Sequence, residues 1–171
     1  AGAAAAPKGS PAVLHELAQR GQALAQQGRF GEARSTLERA LLVAPADGAI
    51  TLGLGSVLRA QGSYSEAARV LSSAAALLPH DSWRAHLQLA FALLESGESS
   101  GEQRAEGSLM SVIAQTPRLE QAHLELAQLY QRQNRLDEAG HRLHLVMQFS
   151  ERANLPRLLF FNATLAIQGG R

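Results

Sequence analysis

The chain has 171 residues, about one domain's length, and a formal net charge of +1, which offers no basic surface for nucleic acid. Its 46% hydrophobic content leans on Ala and Leu with few aromatics, a composition that suits helices and argues against a sheet protein. No apolar run approaches the roughly 18 to 20 residues a bilayer span needs, and zero cysteines exclude disulfides and thiolate chemistry while leaving cytoplasm and bacterial periplasm equally open.

Residues 1–11, AGAAAAPKGSP, have no apolar face to bury and read as a flexible arm. Their short alanine run lacks the charged start and longer apolar stretch of a signal peptide. Leu14, Leu17, Gly21 and Leu24 then recur at spacings of three or four, which predicts a helix from Ala12 to about Gln27 that Gly28 ends. A second helix begins near Gly31, buries Ala33, Leu37, Ala40 and Leu41, and is closed by Pro45. Gly21 and Ala33 are expected to let this helix pair approach closely, with Phe30 packed over the turn. Fifteen of the sixteen basic residues are Arg, Lys8 being the exception, which points to a GC-rich bacterial genome.

The segment Gly28-Arg29-Phe30-Gly31-Glu32-Ala33, followed by Leu37, Ala40 and Pro45, returns 34 residues later as Gly62-Ser63-Tyr64-Ser65-Glu66-Ala67, followed by Leu71, Ala74 and Pro79. Leu54, Gly55 and Leu58 repeat the preceding helix. A third unit has Leu89, Ala90, Leu93 and Gly97, then Ala105, Leu109, Val112 and Pro117, but Pro79 to Pro117 spans 38 residues. One extra residue lies near Trp83 and three lie in the turn Gly97 to Glu102, where insertion costs little. The fourth unit supplies Leu126, Ala127 and Tyr130, then Leu136, Ala139, Leu143 and Val146. Glu151 stands where a proline is expected, so the helix is expected to run on towards Asn154. After Pro156, the stretch to Gly169 fits one more leading helix. It is apolar nearly all round, with Leu158, Leu159, Phe160, Phe161, Leu165 and Ile167, whereas natural caps have a polar outer face. Residues 170–171 are therefore expected to be a cut end of a longer chain, and the C-terminal helix to support self-association.

A 34-residue period with two helical patterns and a Gly-aromatic turn resembles the tetratricopeptide repeat. The resemblance covers residues 12–169. It implies an all-α, right-handed α-solenoid of stacked antiparallel helix pairs, with repeats at about 14–47, 48–81, 83–119 and 120–153 and a lone fifth leading helix at 156–169. It further implies that the first helix of each unit lines a concave groove. The groove stripes read Ala18, Gln22 and Ala25 in the first unit, Leu52, Ser56 and Arg59 in the second, Leu87, Phe91 and Leu94 in the third, and Leu124, Gln128 and Gln131 in the fourth. Leu52, Leu87 and Leu124 share one repeat position, and Phe91 and Leu94 make the third leading helix apolar on both faces. An apolar floor for a peptide or partner protein is one reading, with Arg59, Arg84 and Gln128 fixing polar groups. Packing against adjacent helices, dimerisation, or cover by the N-terminal arm would account for the same side chains.

Some members of this family clamp carboxylate tails with Lys and Asn on successive first helices, whereas the matching stripes here offer Gln22, Ser56 and Phe91. His141 and His144, with Asp137 and Glu138 a turn earlier, have a spacing that metal ligands use, but no further ligand is positioned, so they read as an exposed polar face. His86 and His123 hold equivalent positions and are expected to pack or hydrogen-bond. No serine has a positioned base, and Gly53-Leu54-Gly55 lies in a helical pattern without the Lys-Ser/Thr of a phosphate loop, so these glycines read as close-packing residues. Trp83, at a helix start, reads as a staple in preference to a binding anchor. The expected function is a non-catalytic protein-interaction scaffold in a bacterial assembly, secretion or regulatory complex, without metal or cofactor. The alternative is a regulatory or substrate-recruiting domain of a larger multidomain enzyme.

Overall fold

The computed structural model describes residues 11–149 and 155–168. Residues 1–10 of the expected arm at 1–11, the expected run-on at 150–154, and Gly169 with the expected end at 170–171 lie outside the described residues, while Pro11 belongs to a helix and not to the arm. Among the described residues there are nine helices: α1 (Pro11–Gln26), α2 (Phe30–Val43), α3 (Gly48–Ala60), α4 (Tyr64–Leu77), α5 (Trp83–Ser96), α6 (Gly101–Gln115), α7 (Glu120–Arg132), α8 (Leu136–Phe149) and α9 (Leu155–Gln168). Pro11 opens α1, a position where its missing N–H would have had no helical partner.

The tight turns explain why these helices end where they do. Gly28, Gly62, Gly97 and Asn134 all have positive φ, of 75°, 79°, 67° and 59°, the left-handed conformation that lets a chain leave a helix. The amides of Arg29, Ser63 and Arg135 then reach back to the carbonyls of Leu24, Leu58 and Tyr130 at 2.8–2.9 Å and satisfy the orphaned ends of α1, α3 and α7. Asn134 performs the glycine's part because its short polar side chain tolerates this conformation better than most.

The chain divides into two compact units, the first ending at Glu98 and the second starting at Ser99. The division falls within the turn between α5 and α6, residues 97–100, which is one residue longer than its counterparts, because Gly101 and Glu102 of the expected three-residue insertion already belong to α6. In the first unit α1 packs on α2, α3 on α2 and α4, and α4 on α5. Leu37, Leu58, Leu71 and Leu93 are almost wholly buried there, each contributing on the order of 2 kcal/mol. Glycine makes room for them: a methyl added at Gly21 would lie 2.6 Å from Leu37, and one at Gly55 2.5 Å from Leu71. Ala33 is fully buried, and Phe30 is the half-buried first residue of α2. Asp47 caps α3 by accepting from the Ile50 amide at 3.0 Å, and Arg34 of α2 pairs with Glu66 of α4 at 2.8 Å.

The second unit buries Leu109, Val112, Leu126, Leu129, Leu143 and Val146. Leu158 and Leu165 of α9 join this set, while Leu159 and Ile167 on the same helix are exposed. The Phe160 and Phe161 side chains lie outside the described residues. Arg135, just before α8, ties three helices together. It bonds Glu106 of α6 at 2.9 and 3.1 Å and Glu138 of α8 at 2.6 Å, and its guanidinium lies 4.1 Å from the centre of the Tyr130 ring of α7. The Tyr130 hydroxyl donates to the same Glu106 carboxylate at 3.0 Å.

Candidate partner-binding surface

The leading helices of the first unit are α1, α3 and α5. On α5 the stripe expected to face a partner is partly engaged by α3. Arg59 donates from Nε to Gln88 Oε1 at 3.1 Å and from Nη1 to Glu95 at 2.9 Å, and its guanidinium lies 5.4 Å from the centre of the Phe91 ring. Phe91 and Leu94 are half-buried. Leu87 is only 7% exposed, and half-buried Leu52 packs on Ala74, Ala75 and Ala85, so both serve helix packing. Arg84 is exposed and lies over the half-buried Trp83 ring at 5.2 Å. In the second unit α7 carries half-buried Leu124 and Gln131 and exposed Gln128.

Hollows occur elsewhere on the first unit. Two clefts of about 270 Å³ each lie between α1 and α3 and share Gln22, Leu37 and Gly53. One continues towards Leu14, Ala18 and Ile50, the other towards Ala25, Phe30 and Ser56. None of the nine candidate residues lines either cleft. A hollow forms where side-chain volume is missing, and Ala18, Ala25, Gly53 and Ser56 supply that lack. The stripe Ala18, Gln22, Ala25 was legible, but its small residues carry no apolar signal to single it out.

The histidines divide by burial. His123 is 2% exposed, its Nε2 bonds the Pro117 carbonyl at 2.9 Å, and its ring meets Phe149 at 5.4 Å. Burial, the main effect, holds its pKa below the usual histidine value, and that of half-buried His86 falls for the same reason. His123 is thus neutral at pH 7, with the Nε2 proton donated to Pro117. His141 and His144 are exposed, and Glu138 is held by Arg135. Among the described residues no group of three or more His, Asp or Glu could hold a metal ion, and no helix is long and apolar enough to cross a membrane.

Helix pairs closed by a glycine turn, with small residues where the helices cross, define a helical-repeat scaffold of the α-solenoid class. A tetratricopeptide repeat model matches residues 19–82, and a second of the same description matches 121–143, together about half the chain. The chain belongs to the tetratricopeptide repeat family, whose repeats are protein-interaction scaffolds. No curated protein sequence matches it significantly. Among solved structures, a crystal structure of MamA protein is similar at TM-score 0.82 and 18% identity, covering 92% of this chain and 83% of that one. MamA from Desulfovibrio magneticus RS-1, from residue 41 to its end, matches at TM-score 0.72 and 23% identity over 79% of this chain and 74% of that one. YrrB, described as a tetratricopeptide repeat protein with an unusual peptide-binding site, matches at TM-score 0.74 and 14% identity over 90% and 76%. At these identities the likeness is one of fold.

Proposed function

We propose that the leading-helix surface binds a segment of a partner protein and that the chain works without catalysis, as a scaffold in a bacterial assembly, secretion or regulatory complex. The repeat frame is the one at 14–47, 48–81, 83–119 and 120–153 with a leading helix at 156–169. Phe91 and Leu94 supply apolar contact, and Arg84 and Gln128 are exposed polar groups placed to select a partner. Leu52, Leu87 and Arg59 complete the candidate residues of the first unit's surface, and Leu124 and Gln131 those of the second unit's own surface beside Gln128. The observation that carries the reading is Phe91: a large ring on a leading helix stays half-buried even though Arg59 lies over it. The arginine-dominated basic complement supports the bacterial setting. The peptide-binding site named for YrrB supports a peptide as the ligand form.

The test is selection of peptides from a random displayed library on the wild-type chain, followed by titration of the winners. Phe91→Glu should weaken them more than about tenfold while circular dichroism still reports folded helices. A folded Phe91→Glu protein that holds every selected peptide at full strength would remove Phe91 from the surface. A library that yields no binder to the wild type would overturn the reading itself.

A further inference from the structure

We propose that Met110 is a peroxide-sensitive site whose sulfoxide is captured by the Arg142 guanidinium, so that oxidation tightens the second unit between α6 and α8. The inference is independent of the partner-binding reading above. With no cysteine in the chain, Met110 and Met147 carry its only sulfur atoms, and the structure sets the two apart. Met110 on α6 is 42% exposed, whereas Met147 on α8 is half-buried. A water-borne oxidant therefore meets Met110 first.

A cation already stands at this sulfur. Arg142 of α8 donates from Nη2 to Met110 Sδ at 3.3 Å. The same arginine hydrogen-bonds the Tyr130 hydroxyl of α7, which itself donates to Glu106 of α6 at 3.0 Å. Glu138, one turn before Arg142 on α8, is bonded by Arg135 at 2.6 Å, which leaves Arg142 to the sulfur and the hydroxyl. Both α6 and α8 pack on α7, and the Arg142 side chain reaches across between them.

Oxidation would turn a weak contact into a strong one. A thioether is a weak acceptor, and a donor on one sulfur lone pair leaves the other open to attack. With hydrogen peroxide as oxidant, that lone pair attacks one peroxide oxygen and the O–O bond breaks. The other oxygen leaves as hydroxide and takes up the proton that the transferred oxygen sheds. Sulfur gives two electrons to the peroxide, and the products are the sulfoxide and water. The polar S=O group then accepts from a guanidinium, and a hydrogen bond with one charged partner is roughly twice as strong as a neutral one. In a core the same oxidation disrupts packing, but Met110 lies at the surface, where the added oxygen has room.

The test treats the full chain with hydrogen peroxide, locates the added oxygen by peptide mass spectrometry and follows amide hydrogen exchange. Met110 should gain its oxygen at least about threefold faster than Met147. Exchange in α6 and α8 of the oxidised wild type should slow by about fivefold. Met147→Leu, which leaves Met110 as the sole oxidisable sulfur, should keep this slowing, and Met110→Leu should abolish it. Arg142→Gln should still be oxidised at Met110 and show no slowing. Met110→Gln, whose carboxamide oxygen stands in for the sulfoxide, should slow exchange without peroxide, which keeps the test decisive if Arg142→Gln does not fold. Preferential oxidation of Met147, faster exchange once Met110 carries its oxygen, equal slowing in Arg142→Gln, or unchanged exchange in Met110→Gln would overturn the inference.

Discussion

Two glycines on α3, two residues apart, should respond to the same substitution in opposite directions. A methyl at Gly55 would sit 2.5 Å from the side chain of Leu71, which is itself fully buried and has nowhere to move. A methyl at Gly53 would meet Leu37 at 3.7 Å, an ordinary contact. Alanine favours the helix at either site by about 1 kcal/mol. We therefore expect Gly53→Ala to stabilise the protein by roughly 0.5–1 kcal/mol and Gly55→Ala to destabilise it by about 1–3 kcal/mol through overpacking. Urea denaturation of the two variants should move the midpoint in opposite directions, and a shift of the same sign in both would refute the contact geometry. The expectation that both glycines are close-packing residues holds for Gly55 and not for Gly53, where an added methyl would find ordinary room. Which of the two takes the tight contact was half readable, because Gly55 lies 34 residues after Gly21 and that position meets Leu37 in the same way.

At the scale of the helix, packing sets how the second unit answers to acid. The Arg135 hydrogen bond is the leading reason that Glu106 has a pKa below its ordinary 4.5, with burial opposing. Stability from this pair is present above that value and is lost as pH falls through the depressed pKa of the folded state. His123 works higher on the scale. Its folded-state pKa lies below 6.5, so the unfolded chain takes up the proton first, and stability declines as pH falls from about 6.5 to the folded value. Half-buried His86 adds to the same window. Denaturation as a function of pH should show two successive losses on acidification. His123→Gln should reduce the slope of the first and leave the second, and Arg135→Ala should flatten the second. An unchanged slope between neutral pH and pH 5 in His123→Gln would show that its burial does not depress its titration.

Helices were legible at this scale because 34-residue periodicity, turn glycines and closing prolines are local signals. The expectation that His123 packs or hydrogen-bonds also followed from its repeat position. Contacts made over distance were not legible. Arg59 looked like a side chain free for a partner, yet it engages Gln88 and Glu95, 29 and 36 residues further on. No spacing within α3 encodes that reach. The clefts escaped for a related reason, since an empty volume is specified by what Ala18, Gly53 and Ser56 lack and by how α1 and α3 meet.

For the whole molecule, each unit has its own set of fully buried side chains, Leu37, Leu58, Leu71 and Leu93 in the first and Leu109, Leu126, Leu129 and Leu143 in the second. In repeat proteins stability is close to a sum of unit terms and nearest-neighbour terms, so damage stays local. Gly55→Ala, which strains the α3–α4 contact at Leu71, should raise amide hydrogen exchange in α3 and α4 by about tenfold, the change expected for roughly 1.4 kcal/mol of lost protection. Amides of α7 and α8, whose carbonyl partners and packing leucines belong to the second unit, should keep wild-type rates. Arg135→Ala supplies the reciprocal case, with faster exchange in α6 to α8 and none in α1 to α3. Uniform acceleration along the chain in either variant would mean that the protein opens as one cooperative block. In that case the turn between α5 and α6, residues 97–100 and one residue longer than its counterparts, would not be a boundary between separately opening units.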